Sequence, residues 1–231
     1  MQRTIILNGQ EIVYTLNVKK VKRLNLRVKN DGSVVVSANA SCSVPTIEKF
    51  ISDHADFVLN AIKKYSSIPK FNYTDGDQLY VFGEKKTLKI ISGKNGISVQ
   101  GDNVVLCVED EQNLPLKKKG VDAFYKYKTQ KAVESMLQSV FFEFRQIYNV
   151  PMPNIKYKKL TAAWGNCRKT TAEIHFSIYL SKVDMQCIKY VIVHELAHLI
   201  EANHSQKFYN VVQKIMPNYK LIKKRLKTYN I

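Results

Sequence analysis

No proline or glycine falls between Ser181 and Pro217, and inside that stretch lies Val193-His194-Glu195-Leu196-Ala197-His198. Apolar residues at Ile188, Val191, Ile192, Leu196 and Leu199 recur at helical spacing, so the segment reads as a helix with one buried side over about Asp184–Glu201. Residues i and i+4 share a helix face, which sets the imidazoles of His194 and His198 side by side, with Glu195 on the neighbouring turn. Any fold for this chain has to bury that helix on one side and turn both imidazoles toward a common point.

Two imidazoles at this spacing are a ligand pair for one metal ion, and the carboxylate between them sits near a metal-bound water. A third ligand is needed, and His204 lies ten residues after His194. Chance supplies the three-histidine pattern about 0.0001 times in a chain of this length and composition, so it is read as a site. The spacing equals that of the H-E-x-x-H-x-x-G-x-x-H metalloproteases, but Glu201 stands where those have glycine. The helix then runs on to Glu201, with Asn203 taking the turn, and Glu201 is a competing third ligand. His204 is preferred because Ser205 has the character of an N-cap and would hold His204 beside the metal. Three neutral imidazoles and an open fourth position describe a catalytic zinc site, one Zn2+ per chain. Zinc lowers the pKa of its bound water to about 7, and Glu195 is the base that accepts the proton as hydroxide attacks a polarised carbonyl or phosphoryl centre.

The rest of the chain reads as α+β: a β-rich N-terminal region, 1–110, with one helix, and a helix-rich catalytic domain, 121–231. Ile5–Leu7, Ile12–Val18, Leu24–Val28 and Val34–Val36 read as antiparallel strands, with turns at Asn8-Gly9 and Asn30-Asp31-Gly32. Pro45 opens a helical stretch reaching Ile62. Short strands follow at Leu79–Phe82, Leu88–Ile91, Ile97–Gln100 and Val104–Val108. Glu109–Gly120 reads as a charged connector, and a long helix from about Val121 to Tyr148 ends before Pro151. Strands at Ile155–Leu160 and Glu173–Ser177, a helix over Ser205–Ile215 and a Lys-rich helix over Tyr219–Tyr229 complete the pattern. No internal repeat is evident.

Charge and cysteine usage narrow the class of partner. The 231 residues carry 36 Lys+Arg and 19 Asp+Glu, a formal charge of +17. Residues 121–231 alone hold 18 basic and 7 acidic side chains. Such a bias suits an anionic substrate or nucleic acid met by the C-terminal half, although lysine-rich surfaces are also simply solvated. A hydrophobic content of 45% excludes a disordered chain. No apolar run approaches a membrane span, the start has no signal-peptide core, and the four cysteines form no C-x-x-C pair. A cytoplasmic protein with no membrane contact is the expectation.

Trp164-Gly165-Asn166-Cys167, Ile174, Tyr190–Leu199, Asn203-His204-Ser205, Phe208 and Met216–Lys220 together resemble the YgjP-like metallopeptidase domain, a family once of unknown function and related to the SprT and WLM metallopeptidases. The similarity covers most of the chain and is strongest over 160–220. It implies a zincin-like fold, zinc on His194, His198 and His204, and Glu195 as catalytic base. The family usually has serine where Asn166 stands, glycine at Ala172, and Leu-Asn at Phe176-Ser177. In zincins the strand before the metal helix commonly edges the cleft. On that ground His175 is a candidate catalytic residue, and Trp164, Asn166 and Arg168 are candidate substrate contacts. Trp164 and Met216 also suit a core role, and Cys167 either a buried thiol or a redox-sensitive ligand. The function expected is a zinc-dependent metallopeptidase acting on peptide or protein. The alternatives are a metal-dependent nucleotide or phosphoester hydrolase, and a nucleic-acid-associated module with restricted protease activity.

Overall fold

The computed structural model describes residues 1–29, 31–66 and 71–229, so Asn30 of the expected second turn lies outside the described residues. Two compact units divide the chain, Met1–Lys70 and Phe71–Ile231. The expected boundary at 110–121 therefore falls inside the second unit.

In the first unit, β1 (Gln2–Leu7), β2 (Gln10–Val18), β3 (Asn25–Val28) and β4 (Val34–Ala38) form a sheet in the order β1-β2-β4-β3. The pairs β1–β2 and β3–β4 are antiparallel as expected, but β2 and β4 run parallel. The chain crosses from β2 to the far edge for β3 and returns beside β2, which reverses the purely antiparallel reading. One face is covered by α1 (Val44–Ser52) and α2 (Ala55–Ser66), which bury Ile47, Ile51 and Val58 against Leu7, Tyr14, Val34 and Val36. The single expected helix is thus two, separated at Asp53-His54.

The second unit opens with β5 (Gln78–Val81), β6 (Glu84–Ser92), β7 (Gly96–Gln100) and β8 (Asn103–Val108) in the order β5-β6-β8-β7. Again the middle pair is parallel and the outer pairs antiparallel. This is the topology of the first sheet, and local features match it step by step. Each first hairpin turns on two residues of positive φ, Asn8-Gly9 and Phe82-Gly83, the arrangement of a type I′ turn. Each last strand is followed five residues on by an N-cap, Ser43 or Asn113, and then by a proline in the first helical turn, Pro45 or Pro115. The chain therefore contains an internal structural repeat of four strands and a helix, which the apolar pattern alone conceals.

The helix of the second copy is α3 (Leu114–Ile147), 34 residues long. It begins inside the expected connector because the Asn113 side chain accepts from the Leu116 amide at 2.9 Å and Pro115 suits the first turn. Its first half packs Val121, Phe124 and Tyr125 on the β5–β8 sheet. Its second half packs Val133, Leu137, Val140, Phe141 and Phe144 in another core, shared with the elements that follow. Those are β9 (Asn154–Lys158), β10 (Gly165–Arg168), β11 (Glu173–Ser177), α4 (Met185–Ala197), α5 (Gln206–Ile215) and α6 (Tyr219–Leu226). The sheet has the order β10-β11-β9, with β11 antiparallel to β10 and parallel to β9. The fold is α+β, with a β-rich N-terminal region and a helix-rich C-terminal part.

Thr129 fixes the approach to α4. Fully buried, it donates to the Ile178 carbonyl at 2.8 Å and accepts from the Ser181 amide at 2.9 Å. That holds the 3₁₀ turn Leu180–Lys182, after which Asp184 caps α4 by accepting from the Cys187 amide at 3.0 Å. The β5–β6 turn leans on the same segment through Phe82 N–H to the Ser181 carbonyl at 2.7 Å, which helps hold Phe82 at its positive φ.

Ala172 adopts the left-handed conformation, φ 46°, in the link between β10 and β11. A Cβ in that region clashes with the backbone at a cost of about 1 kcal/mol. Ala172→Gly is expected to raise unfolding free energy by up to about 1 kcal/mol in urea titration; a loss of stability would contradict the strain assigned to this link.

Candidate metal centre

The metal-helix segment is buried on almost every side, with Ile188, Val191, Ile192, Val193, Leu196 and Ala197 all in the core. Full burial of apolar side chains of this size contributes about 2 kcal/mol each, which fixes the rotation of α4 and hence the direction of its polar residues. His194 and Glu195 lie in its last turn, and His198 is its C-cap with φ −67° and ψ −17°. The regular helix stops at Ala197, short of the expected Glu201, but the amides of Ile200 and Glu201 still reach the Ala197 carbonyl at 3.0 Å. Lys169 donates to the Ile200 carbonyl at 2.7 Å, satisfying one acceptor at the helix end. The chain then turns at Asn203, whose amide reaches the Glu201 carboxylate at 3.4 Å. Ser205 caps α5 through the Phe208 amide, leaving His204 immediately before the new helix.

These connections bring one nitrogen each of His194, His198 and His204 within 4.8 Å of one another. The Nε2 atoms of His194 and His204 are 3.0 Å apart, a contact that two bare lone pairs do not make without a shared proton or cation. Phe208, with no exposure, sets its ring 4.6–4.8 Å from all three imidazoles and forms the floor beneath them. Burial, reinforced by the neighbouring histidines and Lys223, pulls His194 down to about 3. Burial likewise lowers His198. Both are therefore neutral, the form that binds metal. Each Nδ1 has a partner: His198 faces the Glu201 carbonyl at 3.1 Å and His194 the Tyr190 hydroxyl at 3.4 Å. Glu201 thus serves the turn, and the donor group consists of the three histidines.

Glu195 is 4% exposed, and its Oε2 has no hydrogen-bond partner. Burial raises it to about 8. An orphaned buried carboxylate oxygen, next in sequence to a histidine of the three-imidazole cluster, is the polar environment a divalent cation and its water would complete. Tetrahedral zinc with Zn–N of about 2.0–2.1 Å needs nitrogens roughly 3.3 Å apart, and the His194–His204 pair at 3.0 Å lies near that spacing.

Gly165 supplies the other wall. A Cβ on it would lie 2.6–2.8 Å from Oε1, Cδ and Cγ of Glu195, so only glycine lets β10 pass this close to α4. Register then assigns the faces of the sheet. Ile174 and Phe176 are fully buried in the core shared with α4, and they pair with Cys167 and Gly165. Glu173, His175, Asn166 and Arg168 consequently face away from Glu195. His175 is buried there with Nε2 bonded to the Glu173 carboxylate, which also pairs with Lys156. His175, Asn166 and Arg168 are thus not gathered with the histidine cluster, because side chains alternate across a strand. β10 and β9 are the edge strands, with β11 in the centre of the sheet, and β10 is the edge beside Glu195. Trp164 is half-buried against the core and its carbonyl accepts from the Ser177 amide at 2.9 Å. Cys167 lies on the Glu195 side, but burial and that carboxylate push its thiol up to about 11, and it is outside the donor group. Met216 is buried in the core.

Sequence reasoning missed β10 and the fit of Gly165 against Glu195. The strand Gly-Asn-Cys-Arg has no β-branched residue, and its only signal was the Trp-Gly pair. Part of the positive charge is also consumed internally: Lys156 pairs with Glu173, Lys159 with Asp122 and Arg225 with Asp184. Among the described residues no helix is long and apolar enough to cross a membrane.

The model of the YgjP-like metallopeptidase domain family matches residues 22–229. No curated protein matches the chain. Among solved structures, the crystal structure of the metallopeptidase zymogen of Pyrococcus abyssi, abylysin, is 22% identical, covering 42% of this chain and 92% of its own at a TM-score of 0.38.

Gly165→Ala is expected to displace the Glu195 carboxylate and lower turnover at least about 100-fold while zinc binding holds within a few-fold. Paired activity and metal-titration measurements check this; full activity would contradict the close approach.

Proposed function

Because the chain belongs to the YgjP-like metallopeptidase family, we propose that it is a zinc-dependent peptidase whose ligands are His194, His198 and His204 and whose general base is Glu195. The observation that carries this reading is the buried, unpartnered Oε2 of Glu195 one residue from a ligand of a three-imidazole cluster. His194, His198 and His204 would hold the zinc, which would supply Lewis acidity toward a substrate carbonyl and toward the attacking water. Glu195 takes the proton of that water at its free carboxylate oxygen and returns it to the leaving amine. Its burial excludes competing solvent, and Gly165 restricts its rotamers. Phe208 fixes the three rings from below.

An open sheet edge favours a peptide over a nucleotide as substrate. Among the described residues β10 has one strand neighbour, β11, so its outer edge offers main-chain donors and acceptors to an extended chain. Gly165 brings that edge against Glu195. Phosphoester hydrolysis and nucleic-acid binding rest on surface charge alone, part of which is paired within the protein.

Metal analysis is expected to give one zinc per chain. Glu195→Gln should keep that zinc and lose peptide cleavage by 10² or more, since a positioned base contributes about 10²–10⁴. Cleavage of a peptide library, compared between the two forms by mass spectrometry, is the test. Full activity in the variant would remove Glu195 as base, and phosphate release from nucleoside triphosphates without peptide cleavage would reassign the site to phosphoester chemistry.

A further inference from the structure

Tyr190 stands one helical turn before His194 on the same face of α4, 3% exposed, with its hydroxyl 3.4 Å from Nδ1 of His194. We propose that Tyr190 is a positioning residue for the metal centre, selecting through its hydroxyl the tautomer and ring orientation of His194 that aim Nε2 at the ion. The inference rests on the zinc reading above and deepens it.

The geometry of the two helix ligands differs in an informative way. His198 faces a main-chain carbonyl, Glu201, at 3.1 Å, a partner that can only accept. Its Nδ1 therefore carries the hydrogen, and its Nε2 is bare. Among the described residues, His194 Nδ1 meets a side-chain hydroxyl, that of Tyr190, instead. A phenol hydroxyl can accept from Nδ1–H or donate to a bare Nδ1, so Tyr190 suits both tautomers of His194. With an ion bound, Nδ1–H would donate to the Tyr190 oxygen, leaving Nε2 to ligate. Without it, the hydroxyl donates to Nδ1, and Nε2–H of His194 can donate to Nε2 of His204, the partner it meets at 3.0 Å. The two forms would thus differ in which nitrogen of His194 carries the hydrogen, Nε2–H being given up to solvent and Nδ1 taking one from solvent, and the Tyr190 hydroxyl can serve each form by rotating its own hydrogen.

The ring packing keeps the hydroxyl in place. The centroids of Tyr190 and His194 are 5.7 Å apart at 55°, so the two rings pack against one another as well as meeting through the hydroxyl. On the neighbouring helix, Tyr209 lies parallel to Tyr219 at 5.6 Å and 27° from the plane of His204 at 6.3 Å. Lys223 donates to the Tyr209 hydroxyl at 2.6 Å. His204 is therefore steadied by stacking, whereas His194 is steadied by a directed bond.

Tyr190→Phe keeps the ring and deletes only the hydroxyl. Zinc affinity, read by competition with a chromophoric chelator, is expected to weaken by roughly 10- to 100-fold, the range found for partners of metal-ligating histidines. The absorption bands of the cobalt-loaded protein should shift as well. Tyr14→Phe removes a comparable buried hydroxyl, bonded to Glu48 at 3.3 Å in the other unit, and should leave zinc affinity unchanged. Equal affinity and equal cobalt spectra for wild type and Tyr190→Phe, with only the melting temperature of the metal-free protein altered, would reduce Tyr190 to a packing residue and overturn the proposal. Failure of the wild-type chain to bind zinc would instead overturn the zinc reading, and this inference with it.

Discussion

The interaction on which the rest of the structure depends is the enclosure of the Glu195 carboxylate between α4 and the glycine of β10. Kept ionised without a partner, a buried carboxylate would cost several kcal/mol, and burial accordingly raises Glu195 to about 8. The surroundings are nonetheless built to hold it there. Gly165 gives up its side chain so that strand and helix can close on the carboxylate, and the apolar face of α4 locks the helix in rotation. Polar burial of this kind, next to the three-histidine cluster, is intelligible as a centre awaiting a cation and a water. Desolvation raises Glu195 and lowers His194 and His198; a divalent ion would relieve the penalty on the ionised carboxylate and would bind the imidazoles in the neutral form that burial already favours.

Support for this enclosure reaches far from it. Thr129 on α3 fastens the turn that leads into α4, and Asp184 caps the helix while binding Arg225 and Tyr229 from the C-terminal end of the chain. The length of α3 follows from its two duties, since one half roofs the β5–β8 sheet and the other lines the core of the metal helix. The repeated four-strand-and-helix module clarifies the division of labour. Its first copy ends in two short helices, while in the second the corresponding helix is extended and packs against the elements that carry the three-histidine cluster.

What could be read from the residues was largely what local chemistry dictates. The H-E-x-x-H helix, its third histidine and the Ser205 cap rest on contacts within a dozen residues, and the structure brings the three histidines together. Long-range register was not legible. The parallel pairing of β2 with β4 depends on where β3 crosses, which no periodicity records. His175 alternates with Ile174 and Phe176 on a strand whose inward face is settled only by packing against α4, so its distance from the chemistry emerged from the fold. The repeat was hidden because its copies share turn and cap residues, Asn8-Gly9 with Phe82-Gly83 and Pro45 with Pro115, and little of their apolar sequence. Ala172 marks the reverse case, a departure from the family visible in sequence whose meaning, a strained left-handed residue, needed the backbone.

The net charge of +17 now has a smaller part in the account, since several lysines and Arg225 are engaged with carboxylates of the same chain. The central claim is the ligand set, and X-ray absorption at the zinc edge of the loaded protein addresses it most directly. The account predicts three imidazole nitrogens and one oxygen at about 2.0–2.1 Å, with the imidazole scattering reduced in His204→Ala. A sulfur shell near 2.3 Å, which would place Cys167 on the metal, or a spectrum indifferent to His204, would contradict it.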